Sequence, residues 1–188
     1  MALFVAGLIL FLGIHLLPAA QGLRSPLVAA WGDRPYRGLF SLVSLAGLVL
    51  IIVGYGMAPR GPQLFASSRV AIAAAPYVVT IALVLFAAAN MRGHTRRVVK
   101  HPMLLGLALW AGVHLAANGD RRGTILFASF LAYAAIDFVS VLQRHAVKTF
   151  EPVPRHDAIA LVAGIAVALV IMAVHRPLFG VAVVPWGI

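Results

Sequence analysis

Two histidines stand inside apolar stretches of this chain. His15 lies in the run 2–18 and His114 in the run 102–118. An ionisable side chain inside a segment of hydrocarbon length is costly to keep, and is a functional candidate by default. A third such group is Asp137, in the run 124–142, with Tyr133 one turn before it. Neutral imidazole is a metal ligand. Two imidazoles on facing helices can hold a haem iron from opposite sides in the core of a helix bundle. Residues four apart share a helix face, so Gly106, Trp110, His114 and Asn118 form one stripe and Gly7, Phe11 and His15 another. The glycines would leave room for a flat macrocycle, Phe11 and Trp110 would pack on it, and Asn118 offers an amide. Asp137 could accept the free N–H of one histidine and set its tautomer. The same residues also allow plainer roles. A histidine in a span can hydrogen-bond a neighbouring helix, and Asp137 can cap Tyr133, Ser140 or Arg144 or pair with an arginine such as Arg37. Trp110, Phe11 and Phe130 can be packing alone, and a zinc ion could take Asp137 as a further ligand.

The elements that must position these residues follow from composition. The chain has 188 residues, of which 62% are hydrophobic and 11% charged, with a mean hydropathy of +0.99. Soluble domains are nearer half apolar and a quarter charged. The reading is therefore an all-α, polytopic membrane helix bundle of about six transmembrane helices, forming a single domain over 1–188. There is no cysteine, which excludes disulfides, thiolate catalysis and iron–sulfur ligation by this chain. A net charge of +10 would suggest nucleic acid in a soluble protein. Here the basic residues lie at helix ends, where membrane orientation and anionic lipid account for them. The expected partners are membrane lipid and no nucleic acid.

The spans are expected at 2–18, 38–58, 70–90, 102–118, 124–142 and 158–175, each long enough for a core of about 30 Å at 1.5 Å per residue. Residues 23–37 read as a polar loop with Pro26 and Pro35, 91–101 as a basic loop, and 143–157 as a polar loop. Pro102 marks the start of the fourth span and Gly119 its end. The loops on one side carry ten Lys and Arg (Arg24, Arg34, Arg37, Arg92, Arg96, Arg97, Lys100, Arg144, Lys148, Arg155) and those on the other carry five. The positive-inside bias puts the first set in the cytoplasm and both termini outside. On that topology His15, His114 and Asp137 fall within about two helical turns of one another in depth. His94, His101, His145, His156 and His175 lie in loops or at a helix end.

The segment His101–Asp120, with its HP start, Trp110, His114 and the closing Asn118-Gly119-Asp120, resembles the NnrU family of bacterial membrane proteins. So do the first span with His15 and Arg24, and the segment Gly32-Asp33-Arg34-Pro35-Tyr36-Arg37-Gly38-Leu39-Phe40-Ser41. The family takes its name from genes associated with nitrite and nitric oxide reduction. Its relatives include the plant and cyanobacterial zeta-carotene isomerases, which use haem b to isomerise a central cis double bond. In that group one ligand histidine lies in the first helix, and another thirteen residues after the HP histidine. The resemblance thus implies haem b (iron) held by His15 and His114, which would be both metal ligands and catalytic centre. The isomerases carry a cysteine three residues before the second ligand, where this chain has Ala111; ligand exchange with that thiolate is excluded.

Three functions compete at this point: a haem-dependent cis–trans isomerase of a long, hydrophobic polyene; a non-catalytic haem protein serving denitrification; and a metal-free scaffold. The expected location is the bacterial inner membrane, with both termini periplasmic. A reporter fused after Ile188 is expected to be active only when it lies outside the cytoplasm; activity confined to the cytoplasm would reverse the topology.

Overall fold

A computed structural model describes residues 1–144 and 149–184; His145, Lys148 and Ile188 lie outside the described residues. Eight helices form among those described: α1 (Ala2–Leu16), α2 (Gln21–Trp31), α3 (Asp33–Met57), α4 (Arg69–Ala89), α5 (His94–Val99), α6 (Pro102–Asn118), α7 (Arg121–Gln143) and α8 (Pro154–Phe179). The six expected spans correspond to α1, α3, α4, α6, α7 and α8. Of these, α3, α4, α7 and α8 are each long and apolar enough to cross a membrane by themselves. α6 has 17 residues, and α1 passes the same test only together with α2, across a bend of 82°.

That bend corrects the expectation of a loop at 23–37. Arg24 is the one charged residue of α2. Asp33, Arg34 and Arg37 belong instead to the first turns of α3. Asp33 suits the positive end of a helix dipole there, and it pairs with Arg37 one turn on at 2.8 Å. Gly32, at φ +82°, makes the corner between the two helices. The 82° turn makes α1 and α2 either a broken span or a re-entrant pair. α2 exposes Leu23 and Trp31, an apolar residue and an interfacial aromatic. The basic stretch 91–101 likewise contains the short helix α5.

The helices pack in the order α8, α4, α6, α7, α1, α3. Helix association in lipid depends on close backbone approach rather than on expelling water, so small residues mark the interfaces. On α3, a Cβ built at Gly47 would lie 2.7 Å from the Phe11 nitrogen, and one at Gly54 would collide with the Phe4 backbone. On α1, a Cβ at Gly7 would lie 2.6 Å from the Ile51 nitrogen. Phe4, Leu8 and Ile51 fill the core of this pair. Gly164 of α8 meets Val84 of α4 in the same way. The outer surface is apolar on every side, with Ile9, Leu42, Ile52, Val70 and Val162 all exposed; these faces contact lipid.

The turn from α6 to α7 is a structural knot. Gly119, at φ +87°, ends α6, and the Asp120 carboxylate caps α7 by accepting from the Gly123 N–H at 2.9 Å. The loop between α3 and α4 lies across this turn. Leu64 N–H donates to the Gly119 carbonyl, Arg121 N–H to Pro62 and Arg122 N–H to Arg60. The Asn118 carbonyl accepts from Gln63 and from Ser67. Arg122 reaches α3. Its guanidinium donates to the carbonyls of Tyr55 (2.8 Å) and Ala58 (2.9 Å) and lies 4.1 Å over the Tyr55 ring.

The glycine contacts give a paired test. Gly54→Ala is expected to destabilise the protein by roughly 1–3 kcal/mol, the usual range for overpacking. Gly56→Ala, two residues away with open space around it, is expected to be neutral or slightly stabilising. Thermal unfolding in detergent compares the two.

Candidate functional site

α1 and α6 both flank α7, and His15 and His114 project into the seam they share. Each ring is oriented by its own helix. His15 Nδ1–H donates to the Phe11 carbonyl at 2.7 Å, and His114 Nδ1–H donates to the Trp110 carbonyl at 2.8 Å. A carbonyl can only accept, so both imidazoles carry their proton on Nδ1 and keep the Nε2 lone pair for another partner.

The face of α7 in the seam is aromatic: Phe127, Phe130 and Tyr133 follow at three-residue spacing. His114 stacks on Phe127, with centroids 4.8 Å apart and planes 26° apart. Trp110 meets Phe127 at 5.2 Å and Phe130 at 5.7 Å. Phe130 in turn meets Phe11 at 5.9 Å, and Phe11 lies 4.2 Å from His15. Tyr133 of α7 and Phe40 of α3 close the far side of His15, at 6.3 and 5.2 Å. A continuous set of rings therefore runs from one histidine to the other, through Phe11, Phe130 and Trp110. His114 lies level with Phe127 and His15 level with Tyr133. Six residues of α7 at 1.5 Å each give an offset of about 9 Å along its axis, inside two helical turns.

The remaining expected site residues lie elsewhere in the architecture. Gly106 faces α4, where a Cβ would lie 2.8 Å from the Ala82 carbonyl and 3.0 Å from Phe86; Gly7 faces α3. These two glycines serve helix packing. Asn118 donates from its amide to the His114 carbonyl at 2.7 Å and belongs to the α6–α7 knot. Asp137 accepts from the Tyr133 hydroxyl at 3.4 Å and pairs with Arg144 at 3.5 Å. Its partners are thus Tyr133 and Arg144, while the Phe11 carbonyl takes the N–H of His15.

Phe127 and Phe40 were not singled out by sequence reasoning, and Phe130 figured only as packing. The three-residue recurrence of Phe127, Phe130 and Tyr133 was the available signal. The described histidines outside the seam are engaged at helix ends. His94 pairs with Asp157 at 3.2 Å, His156 Nδ1 accepts from the Arg92 N–H, and His175 bonds the Val181 carbonyl. His101, just before α6, is pushed below its ordinary pKa by desolvation, and its Nε2 is buried without a hydrogen bond. Among the described residues no three His, Cys, Asp or Glu side chains converge as ligands for an ion. A metal held at the seam would need further ligands of its own, as a porphyrin supplies.

A comparison with protein families matches residues 3–183 to the family described as NnrU protein. The chain belongs to the NnrU family. No curated protein and no solved structure matches it. The family match runs through all eight helices, so both seam histidines, the α7 aromatics and the Arg122 knot fall within it.

The geometry around Asp137 yields an expectation opposite to that for a group beside His15. Asp137→Asn weakens the Arg144 pair and is expected to lower stability by on the order of 1 kcal/mol, the upper range for a partly exposed pair. Any haem midpoint should remain where it is in the parent. A redox titration beside a thermal melt checks both, and a shifted midpoint would return Asp137 to the neighbourhood of His15.

Proposed function

We propose that this protein is an integral membrane haem-b protein in which His15 and His114 would hold the haem iron. The observation that carries this reading is the matched state of the two rings. Each holds its Nδ1 proton on the carbonyl one turn back and keeps Nε2 for a metal, the arrangement that fixes orientation and basicity in ligand histidines. The rings of Phe11, Phe130 and Trp110 pack in series between the two histidines, so taking up a flat apolar macrocycle would require these rings to part and the histidines to approach. Bound haem supplies a redox-active iron whose potential is set by its axial ligands and by burial. The chain's own contribution is to hold both imidazoles, exclude water with the α7 aromatics and offer an apolar outer surface.

That surface gives the substrate class. A long polyene reaches such a seam from the lipid without crossing water, and no paired carboxylates or nucleophile of the seam suit hydrolysis. The activity we infer is cis–trans isomerisation of a polyene, for which bound haem would supply the redox-active iron and His15 and His114 would hold it. The location is the bacterial inner membrane, with the 91–101 side cytoplasmic and both termini periplasmic.

A second reading is favoured by Ala111, three residues before His114. It is fully buried and brings no side-chain ligand to the site. An iron held permanently by two imidazoles has no open position, which suits an electron carrier or sensor in nitrite and nitric oxide reduction. Carbon monoxide binding to the reduced protein, with polyene conversion, separates the readings: the isomerase binds and converts, the carrier does neither.

The ligand assignment is tested by His15→Ala and His114→Ala. Each is expected to lower bound haem at least tenfold, since even the groups that orient a ligand cost 10–100-fold. His156→Ala should keep the Soret band. Unchanged Soret intensity in both seam variants would remove this pair.

A further inference from the structure

Where α1 turns into α2, the protein holds a cavity of about 320 Å³ lined by polar and basic groups, among them Arg24, Arg37, Arg144, Tyr36 and Gln21. Phe40, which closes one side of His15, forms part of its wall. Three arginines thus line it from three elements: Arg24 from α2, Arg37 from α3 and Arg144 from the end of α7. Two have carboxylate partners. Arg37 pairs with Asp33 at 2.8 Å, and Arg144 bonds the Ser140 hydroxyl at 3.0 Å and Asp137 at 3.5 Å. Arg24 lies 5.7 Å over the Tyr36 ring and has no carboxylate partner among the described residues.

Tyr36 is only 6% exposed; it is part of the wall and carries the Arg24 guanidinium over its ring, while its hydroxyl is buried away from the opening. A guanidinium held on an aromatic ring with no carboxylate to neutralise it calls for an oxyanion. Guanidinium matches phosphate oxygens with two parallel N–H bonds.

We propose that this cavity binds a phosphate group, with Arg24 as its principal donor and Arg37 and Arg144 completing a positive wall. The phosphate can come from an anionic phospholipid head group or from free phosphate. α2, which supplies Arg24, also exposes apolar Leu23 and Trp31, a surface suited to lipid. Neither Arg24 nor Tyr36 is among the residues assigned to the haem, so the proposal stands or falls apart from that reading.

The test uses the full-length purified protein, delipidated in a neutral detergent. Thermal-shift titrations compare phosphatidylglycerol, phosphatidylcholine and inorganic phosphate. Saturable stabilisation by phosphatidylglycerol, weaker with phosphatidylcholine and missing with inorganic phosphate, supports a lipid head group. Saturation by inorganic phosphate alone supports the free anion. In either case Arg24→Gln is expected to weaken binding about tenfold or more, the equivalent of one charge-assisted hydrogen bond. Tyr36→Phe should leave both binding and the ligand-free melting temperature unchanged, because its hydroxyl is buried away from the opening and has no internal partner to lose. No saturable binding of either phosphate source by the parent would overturn the proposal. So would equal affinity in the parent and Arg24→Gln.

Discussion

A helix that ends near hydrocarbon leaves carbonyl groups that water cannot reach, and at the end of α3 the protein meets this need with a side chain from another helix. Arg122 of α7 donates to the carbonyls of Tyr55 and Ala58 and covers the Tyr55 ring. The bond ties the end of α3 to the start of α7. α1 is locked to α3 by the glycine approaches at Gly7, Gly47 and Gly54, and α6 is joined to α7 by the tight turn at Gly119 and Asp120. Through these links one guanidinium sets the height of α1 and of α6 against the same face of α7. The register of His15 and His114 depends on it, because α1 touches α7 far less extensively than it touches α3.

Within that frame, the chemistry of the two histidines is decided locally. The carbonyl one turn back is always within reach of an Nδ1–H on a helix, and in lipid nothing competes for it. The proton is thereby held on one nitrogen, and the other is presented to the seam. The Phe127–Phe130–Tyr133 face makes the surroundings of both rings aromatic and apolar. Asp137 is kept out of this arrangement by Arg144 and Tyr133, which satisfy a carboxylate that would otherwise be costly in an apolar span.

Much of this was legible in the sequence. The apolar runs gave six helices because their lengths and flanking charges leave few alternatives in a bilayer. His15 and His114 stood out because ionisable groups are rare there. The segment 23–37 was misread because two prolines and four charges look like a loop. Asp33 and Arg37 in fact stabilise a helix start, and Gly32 makes the corner. The roles of Gly7 and Gly106 were not legible either. A glycine in a span marks a close approach, but only the packing tells whether a ligand or a neighbouring helix makes it; here α3 and α4 do. The Asn118–Arg122 segment read as a helix end and a turn. Its grip on α3 and on the loop before α4 depends on contacts more than fifty residues away in sequence, which no local pattern encodes.

The central claim is that one iron is held by two imidazoles across the seam. Low-temperature electron paramagnetic resonance of the oxidised protein, purified from haem-replete cells, addresses it directly. The account predicts about one haem b per chain with a low-spin ferric signal typical of two nitrogen ligands. A high-spin signal with haem bound would mean that at most one of His15 and His114 reaches the iron, and purified, folded protein without haem would contradict the claim altogether.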